Sequence, residues 1–503
     1  MAVITEHDIR QSIADALQFI SYFHPADFIR HLAAAYDREQ SPSAKNAIAQ
    51  ILKNSRMAAL GRRPICQDTG TANVFFRIGM DVKIATTRSL QAIVDEAVRD
   101  AYMAEQNPLR ASMVRDPLFD RKNTGDNTPG IVHVEMVAGN TIEIDVSAKG
   151  GGSENKTKFT VLDPGESVID WVVKTVETMG AGWCPPGILG IGVGGSVEKS
   201  MLLAKHALNQ PLDMSELLVR GPANKAEEFR LEVYRRVNDL GIGAQGLGGI
   251  TSVLDVKLAT FPCHAASLPV ALIPNCAATR HIHFTLDGSG PAQFEAPTLG
   301  DWPEVALEAG AELRRVDLDS LDESSVAEWR PGETLLLSGT LYTGRDAAHR
   351  RMTEWIARGD QLPVDLRNKA IYYVGPVDPV GNEVIGPAGP TTATRMDRYL
   401  GTVLPATGLR VMIGKAERGP AAIEAIAKNK AVYLVAVGGA AYLVSQAIRS
   451  SKVVAWADLG MEAIYELKVE EMPVMVAVDT RGESVHVLGP SLWRGKASQA
   501  AAR

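Results

Sequence analysis

The sequence predicts an α/β protein of two domains: an N-terminal α+β half over residues 1–290 and a compact C-terminal α/β half over 331–503, joined through 291–330. Three observations carry this. A chain of 503 residues exceeds the roughly 100–200 residues that one hydrophobic core ordinarily serves. The strongest shift in composition lies between Leu286 and Pro331, where glycine, proline and acidic residues crowd together (DGSGPAQFEAPTLGDWPE, then DLDSLDESS). Beyond it, strand, glycine loop and helix recur: IYYVGPV runs toward GPAGPTTATRMDRYL, VMIG toward KAERGPAAIEAIAK, and YLVAVGG toward AAYLVSQAI. That alternation gathers helix N-termini along one edge of a sheet.

The N-terminal half opens with helices over residues 5–60, where Ser41 and Pro42 supply an N-cap and a first-turn proline for AKNAIAQILKNS. A strand at Asn73–Ile78 follows the loop that holds Cys66. The next helix shows one apolar face of Leu90, Ile93, Val94, Ala97, Val98 and Ala101. IVHVEMV and TIEIDVSA flank Gly139-Asn140 and predict a β-hairpin, with Ile142, Ile144 and Val146 alternating against Glu143 and Asp145. Gly150-Gly151-Gly152 comes directly after it.

Composition narrows the function classes. With 46% hydrophobic and 22% charged residues the chain is ordinary globular material. A net charge of -7 with dispersed Lys and Arg shows no nucleic-acid footprint. The start, MAVITEHDIRQSIADAL, carries Glu6, His7 and Asp8 where a signal peptide needs a basic end and an apolar run, so a cytoplasmic protein is expected. Ala431–Val444, the most apolar stretch, is interrupted by Gly438 and Gly439 and falls short of the ~20 residues of a membrane helix. It reads as a buried strand leading into a helix. Cys66, Cys184, Cys263 and Cys276 are too few and scattered for a disulfide framework.

Three of these cysteines stand in loop contexts: Arg-Pro-Ile-Cys-Gln-Asp-Thr-Gly, Gly-Trp-Cys-Pro-Pro-Gly and Ile-Pro-Asn-Cys-Ala-Ala-Thr-Arg-His. A free cysteine taken blindly is a small buried hydrophobe, and the separations match neither zinc-finger nor ferredoxin spacing. The words around them identify more. CQDTG, LRAS and NTGDNTP around Arg110 and Asn127, GGGSENK, WCPPG, NCAATRHIH and GPTTATRMD together resemble the class I fumarase family, iron-sulfur fumarate hydratases and related tartrate dehydratases. The words occur in the expected order from about residue 10 to residue 490.

This resemblance implies a hydro-lyase with a [4Fe-4S] cluster held by only three thiolates, Cys66, Cys184 and Cys276. An iron without a protein ligand can act as a Lewis acid on substrate oxygens, whereas an electron-transfer cluster usually has four thiolates. For Cys263 the family pattern points instead to its neighbour His264, and Cys263 is read as structural. The substrate implied is a small dicarboxylate, fumarate first, with tartrate or mesaconate as alternatives. Water addition beside a carboxylate develops extra negative charge there, so fixed cations are needed; the resemblance nominates Arg110, Arg345, Arg395 and Lys415. It also places Gln67 and Asp68 beside the cluster, Gly150 against substrate, and Thr391 as the group exchanging the carbon-bound proton, with Asp68 and His264 as further catalytic candidates. A homodimer is expected on the same ground.

Two motifs are discounted. Gly190-Ile-Gly192-Val-Gly194-Gly195 departs from the dinucleotide spacing and lacks the acidic strand end. Gly241-Ile-Gly243-Ala-Gln-Gly246-Leu-Gly248-Gly249 reads as close backbone packing or a turn near the active site. His281 and His283, at i, i+2, suit one strand face and a structural duty. The rival from another class is a non-catalytic iron-sulfur protein, which three thiolates and a cationic second domain disfavour.

Overall fold

The computed structural model describes residues 2–306 and 313–501. Three helices open it: α1 (Glu6–Tyr22), α2 (Ala26–Arg38) and α3 (Pro42–Gly61). The first begins on a capping box, Thr5 with Asp8, and the third on Ser41 followed by Pro42, as the sequence predicts. α3 ends at Arg62, which turns left-handed at φ 49°, and delivers the chain into CQDTG.

The predicted strand at 73–78 is β1 (Thr71–Gly79), backed by α4 (Leu90–Tyr102). The hairpin expected around Gly139-Asn140 is not formed. β2 (Ile131–Val137) pairs in parallel with one edge of β1, and β3 (Ile142–Lys149) pairs antiparallel with the other, so β1 lies between them. The turn crosses over the end of β1. A Cβ on Gly79 would stand 2.4 Å from the Gly139 carbonyl oxygen, and Gly139 itself has φ 122°. Alternation showed which faces were apolar but not which strand filled the middle; β1, buried along most of its length on both faces, gains most from the central place. The strand His281–Leu286 completes this sheet beyond β3.

A second sheet holds β4 (Lys158–Leu162), β5 (Gly187–Gly194), β6 (Val253–Phe261) and β7 (Leu268–Asn275) in the order β4-β7-β5-β6. α5 (Val168–Met179) leads into β5, and α6 (Val197–Ala207) packs against it. Gly190 and Gly192 permit that packing: a Cβ there would meet the carbonyl oxygens of Ala204 and Ser200 at 2.2 and 2.0 Å. The glycine run is thus a helix-on-strand contact.

The C-terminal half is one seven-stranded sheet. β9 (Arg314–Asp317), β10 (Thr334–Thr343), β11 (Ala370–Tyr372), β12 (Val411–Gly414) and β13 (Val432–Val435) run parallel, taking β8 as His281–Leu286. The long β15 (Ile464–Val478) pairs antiparallel with β13, with β10 and with β14 (Ile448–Ala455), so the sheet closes on itself. β9 lies inside the stretch read as a linker, of which residues 307–312 fall outside the described residues. Around the sheet stand α7 (Asp346–Arg358), α8 (Asp397–Thr407), α9 (Pro420–Lys428), α10 (Ala441–Gln446) and α11 (Val485–Trp493). Among the described residues no helix is long and apolar enough to cross a membrane.

The halves share a core. Phe28, Ile48 and Ile51 of α2 and α3 belong to the same buried cluster as Tyr373, Met412 and Tyr433. Polar contacts bridge the seam as well: Arg63, almost fully buried, meets Glu383 at 2.9 Å, and Asn54 Nδ2 donates to the Gly439 carbonyl at 3.0 Å.

His281 and His283 lie on β8, and the second joins a network that fixes β3. Asp145 Oδ2 stands 2.8 Å from His206 Nε2, and its Oδ1 3.0 Å from His283 Nδ1. Burial works to raise the Asp145 pKa, but the two imidazoles win and hold it at about 2, while Asp145 raises that of His283. A lowered carboxylate stabilises above its ordinary 3.8 and loses that contribution as pH falls toward 2. A raised imidazole stabilises below 6.5 and loses its share as pH rises past its folded value. Asp145→Asn should therefore cost about 2 kcal/mol in urea unfolding between about pH 4 and 6.5, with a smaller difference from wild type on either side. A cost independent of pH would contradict this assignment.

Candidate functional site

Three loops meet at the seam, each bringing one thiol. Cys66 lies in the turn between α3 and β1, Cys184 in the turn between α5 and β5, and Cys276 directly after β7. Together they line one enclosed cavity whose remaining wall includes Asp68, Gly150, Arg280 and Lys415. Wider clefts of about 650 and 730 Å³ lie elsewhere, and neither has a thiol in its wall. Chemistry rather than size singles out the small one.

Backbone geometry explains how these side chains converge. Cys184 takes φ 57°, an uncommon conformation for a non-glycine residue, and its carbonyl accepts from Ala277 N at 3.0 Å, which ties the second cysteine loop to the third. Gly438 leaves room for its sulfur, since a Cβ there would lie 2.5 Å from Sγ. Gln245, in the glycine-rich stretch 241–249, braces Gly438 by accepting from its N–H at 2.8 Å and donating to its carbonyl at 3.2 Å. That stretch is a turn packed behind the cavity.

The electrostatics are those of buried acids around a buried cation. Lys415 Nζ lies 3.1 Å from Cys184 Sγ. Burial opposes its charge, yet Cys184, Cys66 and Asp68 outweigh this and its pKa is raised. Burial pushes the Cys184 thiol up to about 11 and that of Cys66 upward too, against the pull of Lys415. Burial works to raise the Asp68 pKa, but Arg110, Arg280 and Lys415 overcome that penalty and hold it below its usual range. Gly151 N donates to its Oδ2 at 2.8 Å. A methyl on Gly150 would crowd Asp68 and Arg280 at 3.2 and 3.4 Å.

A second group of cations stands beyond Asp68. Arg110 Nη1 donates to the Gly375 carbonyl at 2.6 Å, and a Cβ on Gly375 would lie 2.1 Å from Arg345 Nη1, so both guanidiniums flank one glycine. Arg345 is 11% exposed, sits 3.4 Å from Glu462, and has no partner for Nε among the described residues. Burial brings its pKa down to about 10; Glu462 opposes the fall, while Arg110 and Arg395 add to it. Arg395 is half-exposed and pairs with Asp346 at 2.5 Å. Thr391 is buried between the two groups: its N–H donates to Tyr373 O at 2.7 Å and its carbonyl accepts from Lys415 N at 3.1 Å. Gln67 Nε2 donates to Pro390 O at 3.1 Å, linking the Cys66 loop to the Thr391 loop.

His264 is not brought here within one chain. It lies exposed in the turn between β6 and β7, beside Cys263, where its ring accepts from Ala266 N at 3.1 Å. The turn opens β7, whose other end leads into Cys276. Residues that sequence reasoning did not nominate also line the cavity, among them Arg280, Ser153 and Trp183. Arg280 was legible, standing four residues after Cys276 in NCAATRHIH. Ser153 and Lys149 were not; Lys149 Nζ reaches Ser153 Oγ at 2.5 Å and Pro274 O at 2.7 Å only through the fold.

Comparison with known proteins covers almost the whole chain. A family model described as Fumarate hydratase (Fumerase) matches residues 10–285, and one described as Fumarase C-terminus matches 288–489. The anaerobic class I fumarate hydratase of Escherichia coli (strain K12) is 31% identical over 489 residues, 92% of this chain and 87% of that protein. Fumarate hydratase 2 of Leishmania major is 31% identical over 474 residues, 90% and 82% respectively. A putative L(+)-tartrate dehydratase subunit alpha of Methanocaldococcus jannaschii is 32% identical over 278 residues, covering 54% of this chain and 95% of that one.

Proposed function

Because the chain belongs to the class I fumarate hydratase family and is a hydro-lyase, we propose that it adds water reversibly to fumarate to give (S)-malate, with a [4Fe-4S] cluster held by Cys66, Cys184 and Cys276. The observation that carries this is the convergence of three thiols from three separate loops on one cavity beside Lys415 and Asp68. Cysteine thiolates are the ligands that hold such a cluster. Such a cluster, when bound, supplies an iron without a protein ligand as a Lewis acid for substrate oxygen.

The chain's own residues do the rest. Hydration breaks the carbon–carbon π bond and puts the hydroxyl of water on one carbon; the electron pair left on the other carbon is shared with its carboxylate until a proton is added to that carbon. Arg110 and Arg345, flanking Gly375, form the clamp for one carboxylate; the unspent Nε–H of Arg345 leaves it donors for an anion. Arg395 stands at the outer edge, neutralised by Asp346 until substrate competes. Lys415 faces the developing charge from the thiol side. Asp68, in the cavity wall with Gly151 N–H donating to its carboxylate, is the further candidate for moving a proton. Thr391 is assigned the exchange of the carbon-bound proton; its burial and the Lys415 N–H on its carbonyl, which joins its loop to the Lys415 segment, support this. Within one chain His264 lies outside this arrangement. A homodimer is proposed on family membership alone.

Changing Cys66, Cys184 or Cys276 to Ser should remove cluster and activity together, while Cys263→Ser keeps both, because Cys263 lies exposed beyond the site. Iron and sulfide counts per chain after anaerobic reconstitution decide this, and loss of iron in Cys263→Ser alone would refute the ligand set.

Fumarate and malate should exceed mesaconate and both tartrates in kcat/KM on the reconstituted enzyme. Higher values on tartrate would overturn the fumarase reading and leave the hydro-lyase. Arg345→Lys keeps a charge but removes the planar fork, and should lower kcat/KM on every dicarboxylate about a hundredfold, or about 3 kcal/mol, at unchanged iron content.

A further inference from the structure

The loop bearing Cys184 belongs to the N-terminal half and Lys415 to the other, so something must hold them in register. Two ties cross the seam there. One is Lys415 Nζ to Cys184 Sγ, at 3.1 Å. The other is made by Glu417, two residues on, whose Oε2 accepts from Ala181 N at 2.8 Å. These ties differ in kind. A thiolate that binds metal shares its charge and has less left to hold an ammonium, whereas a carboxylate on a backbone N–H is indifferent to metal.

The surroundings are built to seat Glu417. Gly180 has φ 69°, and a Cβ on it would lie 2.1 Å from Glu417 Oε1, so only glycine lets the carboxylate approach. Ala416 adopts φ 66°, uncommon for alanine, and its carbonyl is held by the Tyr433 hydroxyl at 2.9 Å. That bend separates Lys415, aimed at the thiol, from Glu417, aimed at the loop behind it. Lys156 Nζ stands 3.8 Å from Glu417 Oε1, and its Cε would be 2.7 Å from a Cβ on Gly182. Gly180 and Gly182 thus frame the one N–H that the carboxylate takes.

We propose that Glu417 is a positioning residue that latches the Cys184 loop to the Lys415 segment across the seam, keeping ligand and cation aligned whether or not the thiol is engaged. From the preceding reading it takes only that Cys184 is a ligand. Glu417→Ala removes the latch; Glu417→Gln keeps an amide oxygen for Ala181 N–H. In the metal-free full chain, iodoacetamide labelling mapped by peptide should show Cys184 reacting about tenfold faster in Glu417→Ala, with Cys66 and Cys276 within about twofold of wild type. Glu417→Gln should label like wild type. On reconstituted enzyme, Glu417→Ala should lower kcat about tenfold with KM within about threefold, and Glu417→Gln should restore it. Unchanged Cys184 labelling in Glu417→Ala, a matching rise at all three thiols, or no rescue by Gln would each overturn the latch. The labelling arm needs neither cluster nor substrate, so its failure is distinct from failure of the proposed activity.

Discussion

Everything at the centre of this protein depends on a buried ammonium among buried thiols. Lys415 and Cys184 come from opposite halves of the chain and meet at 3.1 Å. Burying an unpaired charge costs several kcal/mol, and burial likewise opposes a thiolate, as the rise of Cys184 to about 11 reflects. Each group lessens the penalty of the other, and neither half holds both. The seam is therefore where reactivity becomes affordable.

That pairing explains why the seam is polar in the middle and apolar around it. Helices α2 and α3 pack into the C-terminal core through Phe28, Ile48 and Ile51, which excludes water from the rim. Inside the rim, Arg63–Glu383 and Asn54–Gly439 satisfy groups that the packing would otherwise strand. Glycine supplies the remaining fit. Gly187 shows the requirement at its sharpest: a Cβ would lie 1.9 Å from the Asn275 carbonyl oxygen, next to Cys276. Larger residues at Gly187, Gly389 or Gly438 would push apart the segments that carry the thiols and their braces.

Much of the fold was legible because local chemistry and tertiary packing agree. Ser41-Pro42, the apolar face of α4, and the run from Ala431 into α10 each read correctly from caps and periodicity. The hairpin around Gly139 misled because alternation and a Gly-Asn turn satisfy a two-stranded ladder as well as a crossing over a third strand. Only the burial of β1 on both faces decides between them. His264 shows the same limit at the site: a word can mark a residue without saying whether its turn reaches the seam.

By itself the sequence determined the helical opening, the strand–loop–helix rhythm of the second half, and which words carry thiols and cations, since these are set by residues within a few positions of one another. Tertiary structure alone decided that Cys66, Cys184 and Cys276 share one wall, that the seven-stranded sheet closes through β15, and that Arg110 and Arg345 flank Gly375. Those are contacts between segments separated by tens to hundreds of residues. Their partners are chosen by shape, burial and charge in three dimensions, and spacing along the chain holds no measure of that.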